Sequence, residues 1–287
     1  MKRVSCPGGI RRSIRPMNLN YSLMKNLFIK LSMIIVLTSC TTSSAIMQSL
    51  LYDEGLTESE VIDGLKKALD IGTDKAVSIV SKPDGYLGDM VIKILLPSEL
   101  SEAIQTLRDA PGGEQIYKAT ISPVVEDLIV ALNRSASDAA SSAIPIFKNA
   151  ITSMTIQDGW SILKGNYKNA GDRSATIYFK DKTEADLTNL FQPKIHASLE
   201  KPLVGTTSAN KLWDKFIRAY NAVVKSPANL LMKLDPVEEP DLASYVTGKA
   251  LDGLFVKVAD EEKEIRDDPY KYANDLIQKV FGYNKST

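Results

Sequence analysis

The sequence predicts a mainly α-helical fold, a multi-helix bundle of about eight to ten helices with at most one short β element near residues 90–96. Helix start signals recur along the chain, apolar residues return every three or four positions, and a single stretch favours a strand. Most of the chain is therefore expected to pack as helices around one core.

The first helix is predicted to begin at a capping box, Thr57 to Glu60, and to carry an apolar stripe as far as Leu69. Pro83-Asp84-Gly85 is typical of a turn. The stretch from Met90 to Pro97 favours a strand, because it is short, apolar and preceded by a turn signal. This is the one β element that the sequence predicts.

Prolines and glycines divide the rest of the chain. A short helix from Ser98 to Arg108 is expected to end at Pro111-Gly112-Gly113, and Pro123 and Pro145 interrupt the long helical region 114–154. Further helices are predicted between Thr155 and the stop at Gly165, and at about residues 173–181, 184–200, 207–225, 242–266 and 269–281, with a linker at 236–240.

One apolar face of the region 124–154 has alanine at its centre, which predicts a central helix packed closely against its neighbours. That face consists of Val125, Leu128, Leu132, Ala136, Ala139, Ala143, Phe147, Ala150 and Met154. Trp160 and Trp213 lie in helical patterns and are expected in the core, as are Tyr178 and Phe179. The single histidine, His196, is expected on the surface.

The N-terminal region has the spacing of a bacterial lipoprotein signal. Lys25 and Lys30 accompany the apolar block Leu27 to Leu37, and Thr38-Ser39 lead to Cys40. A block of this length is an h-region, too short to span a membrane. We expect cleavage before Cys40 and acylation of its thiol; the alternative is an ordinary secretory signal with a chance cysteine.

These signals divide the chain into four parts. Residues 1–23 are expected to be a mis-annotated extension before a start at Met24, and residues 24–39 a lipoprotein signal peptide. Residues 40–56 are expected to form a lipidated tether, and residues 57–282 a helical domain. Thr41 stands where an aspartate would retain the protein at the inner membrane, which favours the periplasmic face of the outer membrane.

Charge and cysteine content exclude several classes of function. Seven of the 35 basic residues precede Cys40 and no acidic residue does, so the mature chain carries 28 basic and 35 acidic residues, a net charge of −7. Such a chain does not suit nucleic-acid binding. One cysteine remains after processing and lipid takes its sulfur, so we expect no disulfide and no zinc site of the usual ligands. No phosphate loop, serine elbow or dinucleotide fingerprint occurs, and no cofactor is predicted.

Glu261 and Glu262 fall within the apolar stripe of the last long helix instead of opposite it. A buried carboxylate is costly unless it is paired, and Arg266 is the nearest partner, one turn later. Three interpretations stay open: a solvated helix end or an ion-pair clamp, a polar binding pocket, and a catalytic pair in which one pKa is raised. The residues identify no catalytic group.

Several short motifs follow one another along the chain: Asn133-Arg134, Met154-Thr155, Ile162 to Gly165, Tyr178-Phe179, Tyr245 to Thr247, Ala250 to Phe255, Glu261-Glu262 and Ile265-Arg266. Together they resemble an uncharacterised bacterial family, domain of unknown function 4197. The resemblance implies a mainly helical envelope protein with no agreed activity, and it adds Asn133 and Arg134 as contributors to a polar site with Glu261, Glu262 and Arg266. This chain has Ser137-Asp138 where the family pattern has glutamate.

The sequence favours a lipid-anchored envelope module that binds or scaffolds without catalysis. Its expected partners are the membrane, through the N-terminal lipid, and an envelope protein or lipid. Two alternatives are an enzyme of unknown substrate that uses Glu261 and Glu262, and a periplasmic carrier of a hydrophobic ligand.

Overall fold

The computed structural model describes residues 55–236 and 241–282. Cys40, the expected signal peptide, the upstream extension and nearly all of the expected tether lie outside these residues, as does most of the predicted linker. The described part is all-helical, and its β structure is limited to an isolated bridge between Val204 and Thr207. No described helix is long and apolar enough to cross a membrane.

The predicted mainly α-helical fold is confirmed. The principal helices are α1 (Glu58–Val80), α2 (Ser98–Asp109), α3 (Ser122–Ala140), α4 (Ile144–Thr152), α5 (Ile156–Leu163), α6 (Ser174–Leu199), α7 (Ala209–Val224), α8 (Leu242–Asp267) and α9 (Asp275–Gly282). Four-residue helices occur at Gly113–Ile116 and Asn229–Met232, a π-helical turn at Tyr117–Ile121, and 3₁₀ turns at Ser141–Ala143, Tyr167–Asn169, Gly171–Arg173 and Pro269–Lys271.

Helix α1 begins as its sequence predicts. The Thr57 side chain accepts from the backbone of Glu60, and the Glu60 carboxylate accepts from the backbone of Thr57, so two free N–H groups are satisfied together. The helix then packs against α8 and α9. Gly64 allows this approach, since a β-carbon there would lie 2.9 Å from a methyl group of Val280.

Pro123 and Pro145 interrupt the region, as predicted, and each does so by lying in the first turn of a new helix, where its missing N–H costs no hydrogen bond. The alanine-centred face from Val125 to Met154 is buried throughout, as predicted, but it is divided between α3 and α4 instead of lying on one central helix. Trp160 and Trp213 are in the core, and His196 is exposed, also as predicted.

The predicted break near residue 182 is wrong, because residues 174–199 form one helix, α6. Thr183 stays helical, its hydroxyl donating to the carbonyl of Phe179 at 2.6 Å. The apolar residues of α6 follow no single stripe because the helix packs against α3, α4 and α8 on several sides. A helix surrounded in this way lacks the periodicity on which the prediction rested.

The last helix also starts later than predicted. Pro269 begins only a 3₁₀ turn, and the chain is extended again at Tyr272. Helix α9 starts at Asp275, where the Asn274 side chain accepts from the backbone N–H of Ile277 at 3.1 Å. Proline after aspartate marked a turn here instead of a helix start.

The predicted strand near residues 90–96 is wrong, although its alternation is present. Ile92, Ile94 and Leu96 are buried, whereas Val91 and Leu95 are exposed. No neighbouring strand occurs in the described residues. Side chains instead make the hydrogen bonds to the backbone that such a strand would make.

Candidate functional site

Glu261 and Glu262 lie side by side on α8, and both are buried, with 4% and 7% of their surface exposed. The helix continues beyond them to Asp267, so the interpretation as a solvated helix end is wrong. The two carboxylates point to different neighbours. They do not form one acidic pair.

Glu262 caps helix α6 from outside that helix. Its Oε1 accepts from the backbone N–H of Ala175 at 2.9 Å, and its Oε2 accepts from the N–H and the hydroxyl of Thr176, both at 2.8 Å. The residue before α6, Arg173, supplies no side-chain cap. A carboxylate at this position satisfies N–H groups that the helix leaves free and complements its positive end.

Arg266 completes this arrangement, and its predicted contact with Glu262 is confirmed. Its guanidinium donates to Glu262 Oε1 at 2.8 Å and to the carbonyl of Ile162 at 3.1 Å. The pair is largely buried, with 17% and 5% of the two side chains exposed, so solvent screens it less than it would a surface pair. It ties α8 to α5 and α6.

Both oxygens of Glu262 are thus occupied by fixed donors. The cavity beside it has a volume of about 10 Å³ and is lined by apolar groups of Leu65, Ile265 and Phe281. That volume holds about one water molecule. The geometry suits a structural clamp, and it leaves no space for a substrate at this carboxylate.

Glu261 faces α1, where Lys75 Nζ lies 2.8 Å from its Oε2. Burial raises the pKa of Glu261, and the charge of Lys75 offsets this only in part. Lys75 also pairs with Glu264, whose pKa falls to about 2 because Lys271 and Lys75 both hold its charged form. Burial raises the pKa of the neighbouring Tyr272 to about 12.

Asn133 does not join the acids. Its side-chain amide pairs with Ile94 as a neighbouring strand would, accepting from the backbone N–H at 2.8 Å and donating to the carbonyl at 2.7 Å. Arg134 is likewise elsewhere, paired with Asp84 at 2.7 Å and donating to the carbonyl of Leu203. The polar site that the resemblance implied is therefore not assembled by these side chains.

Asp138, which follows the position where the family pattern has glutamate, is on α3 and contacts the C-terminal end of α6. It accepts from the hydroxyl of Ser198 at 2.6 Å and from Lys201 at 2.5 Å. Burial raises the pKa of Asp138, but the hydrogen bonds that its carboxylate accepts from Lys201 and Ser198, together with the charge of Lys201, outweigh this effect and lower the pKa overall. Its contacts hold the C-terminal end of α6 to α3.

Residues 89–95 form an exposed apolar loop that the sequence did not identify as a site. Met90, Val91 and Leu95 are among the most exposed large apolar side chains of the described residues. The signal was present in part, because two of the three outward positions of the predicted strand, Val91 and Leu95, are apolar, and only Lys93 between them is charged. The 89–95 loop is the second candidate site.

Buried contacts hold the 89–95 loop in place. Asp89 accepts from the N–H of Val91 at 2.9 Å and pairs with Lys257 of α8 at 2.7 Å. Ile92 packs against Gly253, where a β-carbon would lie 3.0 Å from that of Ile92. With Asn133 bound to Ile94 on the other side, the loop presents its apolar side chains from a fixed backbone.

Metal ligation has no support in the described residues, where no three acidic, histidine or cysteine side chains group together. A separate open groove of about 680 Å³ lies between the start of α4 and α6, with Pro145, Ile146 and Leu190 among its lining.

The chain belongs to the DUF4197 family of proteins of unknown function, whose family model matches residues 55–282. This confirms the resemblance drawn from the motifs and covers essentially the whole helical domain. Comparison with curated proteins and with solved structures finds no match. The family description names no activity.

Proposed function

We propose that this protein is a lipid-anchored module of the bacterial cell envelope that binds a partner and catalyses no reaction. Cys40 carries the lipid, and the helical domain faces the periplasm from the outer membrane. The order of charged, apolar and small residues before Cys40 supports the anchor.

The observation that carries the binding role is the apolar surface of the 89–95 loop. Met90, Val91 and Leu95 are exposed although Ile92, Ile94 and Leu96 beside them are buried. Contiguous exposed apolar side chains on a soluble domain mark interaction surfaces. Because Asp89 and Asn133 fix the backbone, little conformational entropy is lost when a partner covers the loop.

The two alternatives have less support. An enzyme using Glu261 and Glu262 would need an accessible carboxylate, but Glu262 is fully occupied and its neighbouring cavity is about the size of one water molecule. A carrier of hydrophobic ligands would need space at the small residues of α3, whose alanines are packed to 0–2% exposure. The groove near Pro145 is open at the surface and is not an internal cavity of the kind that a carrier would need.

The anchor is tested by metabolic labelling with palmitate and by intact mass of the membrane-bound protein. We expect label and diacylglycerol mass on the wild-type chain, and neither on Cys40→Ser, which should keep its leader. An unlabelled wild-type chain with a free thiol would contradict the anchor.

The binding role is tested by a photo-crosslinking residue in place of Leu95, in cells, with the same residue in place of the exposed Asn189 as control. We expect a reproducible adduct, to protein or to lipid, at position 95 and none at 189. Equal crosslinking at both positions would argue against a binding surface at the 89–95 loop.

A further inference from the structure

We infer that the 89–95 loop inserts its apolar side chains into the surface of the bilayer to which the lipid tethers the protein. This inference rests on the proposed function and names the partner. A lipid bilayer is the occupant favoured by the shape of the loop, by the charges around it and by the reach of the tether.

The shape of the loop is convex. Met90 is 82% exposed and Val91 75% exposed at a turn closed by Asp89, whose carbonyl accepts from the N–H groups of Ile92 and Lys93. Leu95, at the end of the loop, is 56% exposed. A protruding turn of flexible aliphatic side chains matches acyl chains, which rearrange around it and need no complementary pocket.

The charges next to the loop also suit a bilayer with phosphate head groups. Lys82 and Lys93 have no ion-pair partner among residues 55–236 and 241–282. The acids on the same side are neutralised, Asp84 by Arg134 and Asp89 by Lys257. Counting these partners and Asp260, which shares Lys257, the charged groups of residues 82–98 and their partners carry a net charge of +1, although the mature chain as a whole is acidic.

The tether can bring the loop to the membrane. The loop follows the C-terminal end of α1, about 33 Å from its N-terminal end at Glu58. The chain between Cys40 and Gly55 spans up to about 50 Å when extended. A domain attached at Cys40 can therefore lie with α1 along the bilayer and the loop in contact with it.

Attachment also explains why so small an apolar surface suffices. Three aliphatic side chains hold a free protein on a bilayer only weakly, as a single short anchor does. Once the lipid confines the domain, the second contact becomes intramolecular and its effective concentration reaches about the millimolar range. The loop then sets the orientation of the domain on the membrane.

The test uses the full-length acylated protein in vesicles of phosphatidylethanolamine and phosphatidylglycerol. Val91→Cys receives a polarity-sensitive fluorophore, and Asn189→Cys on α6 is the matched exposed control. Cys6 and Cys40 are the only natural cysteines, so after processing and acylation the introduced thiol is the sole free one. Quenchers are nitroxides on lipid acyl chains and iodide in the buffer.

We expect the label at position 91 to be quenched by lipid nitroxides and shielded from iodide, and the label at 189 to show the reverse. Met90→Ser on the Val91→Cys background should lower the docked-to-undocked ratio about tenfold. Unchanged melting of both variants would show that the fold is intact, since both side chains are exposed.

Other outcomes overturn the inference. If position 91 is open to iodide while the protein stays on the vesicles, the loop does not insert, and the anchor proposal stands. Protection from both quenchers would mean that a second copy covers the loop, which contradicts a lipid partner. If the fluorophore reacts with the thiol of Cys40 and the protein does not float with the vesicles, the anchor is refuted, and the inference with it.

Discussion

Replacement of Glu262 by glutamine tests the clamp between α8 and α6. Glutamine has the same shape but no charge, and one of its two terminal atoms becomes an NH₂ group that donates instead of accepting. Either orientation of the amide places a donor against Ala175 N–H or Thr176 N–H. The change also leaves Arg266 without its buried partner.

The expected loss of unfolding free energy has two contributions. They are not summed, because both involve the same atoms. A buried donor left unpaired costs about 1–3 kcal/mol. Removing one member of a buried ion pair costs about 3–5 kcal/mol. We therefore expect Glu262→Gln to lower the free energy of unfolding by about 3–4 kcal/mol, and the melting temperature by about 10 °C for a domain of this size.

The adjacent Glu261→Gln is the matched control. Burial already raises the pKa of Glu261, so loss of its charge removes an unfavourable desolvation, and Lys75 keeps Glu264 as a partner. We expect a change within about 1 kcal/mol. Urea unfolding followed by circular dichroism measures both variants, with the m-value checking that each still unfolds in two states.

Two results would refute this reasoning. Equal stability losses in the two variants would mean that burial alone, and not the cap on α6, sets the cost. A Glu262→Gln protein as stable as wild type but without partner crosslinking at the 89–95 loop would move Glu262 from a structural to a functional role.

Four further variants probe the surroundings of the two candidate sites. Asn133→Ala should destabilise the domain by about 2–3 kcal/mol and speed hydrogen exchange at the Ile94 amide, because both backbone groups of that residue lose their partner. Gly253→Ala should cost about 1–3 kcal/mol through overpacking, whereas Gly248→Ala on the same helix, with nothing within 4 Å, should stabilise by about 0.5–1 kcal/mol; thermal melting compares the pair. The pKa of Glu264 lies below its unfolded value, so its charge stabilises the fold above about pH 4.5 and this is lost as the pH falls toward 2; Glu264→Gln should flatten that decline in urea titrations.

Much of the fold could be predicted because its helices carry local signals. The capping box at Thr57 lies within four residues of sequence and forms as expected, and the helix predicted from Thr155 begins with a second such box. The alanine-centred face of α3 repeats with the helical period, and it is buried. Where a helix is surrounded, as α6 is, the period disappears and the prediction divided one helix into two.

The candidate site was predictable only in part, for a physical reason. The position of Glu261 and Glu262 within an apolar stripe, and Arg266 as the nearest partner of the second, followed from spacing on one helix, but a solvated helix end stayed open until the structure showed both acids buried. The decisive partners of Glu262 are backbone N–H groups 86 and 87 residues away, and a backbone donor has no identity in the sequence. Lys75, the partner of Glu261, likewise requires the packing of α1 on α8.

The wrong strand prediction and the candidate binding surface have the same cause. Alternating apolar residues normally bury one face and pair along both edges of the backbone. Here Met90 to Ile92 form a turn and Asn133 satisfies Ile94 with a single side chain, so this segment forms no sheet. Among the described residues, the outward side chains Val91 and Leu95 therefore stay exposed, where a neighbouring strand would flank them. The absence of that strand, which made the prediction wrong, also leaves these apolar side chains on the surface.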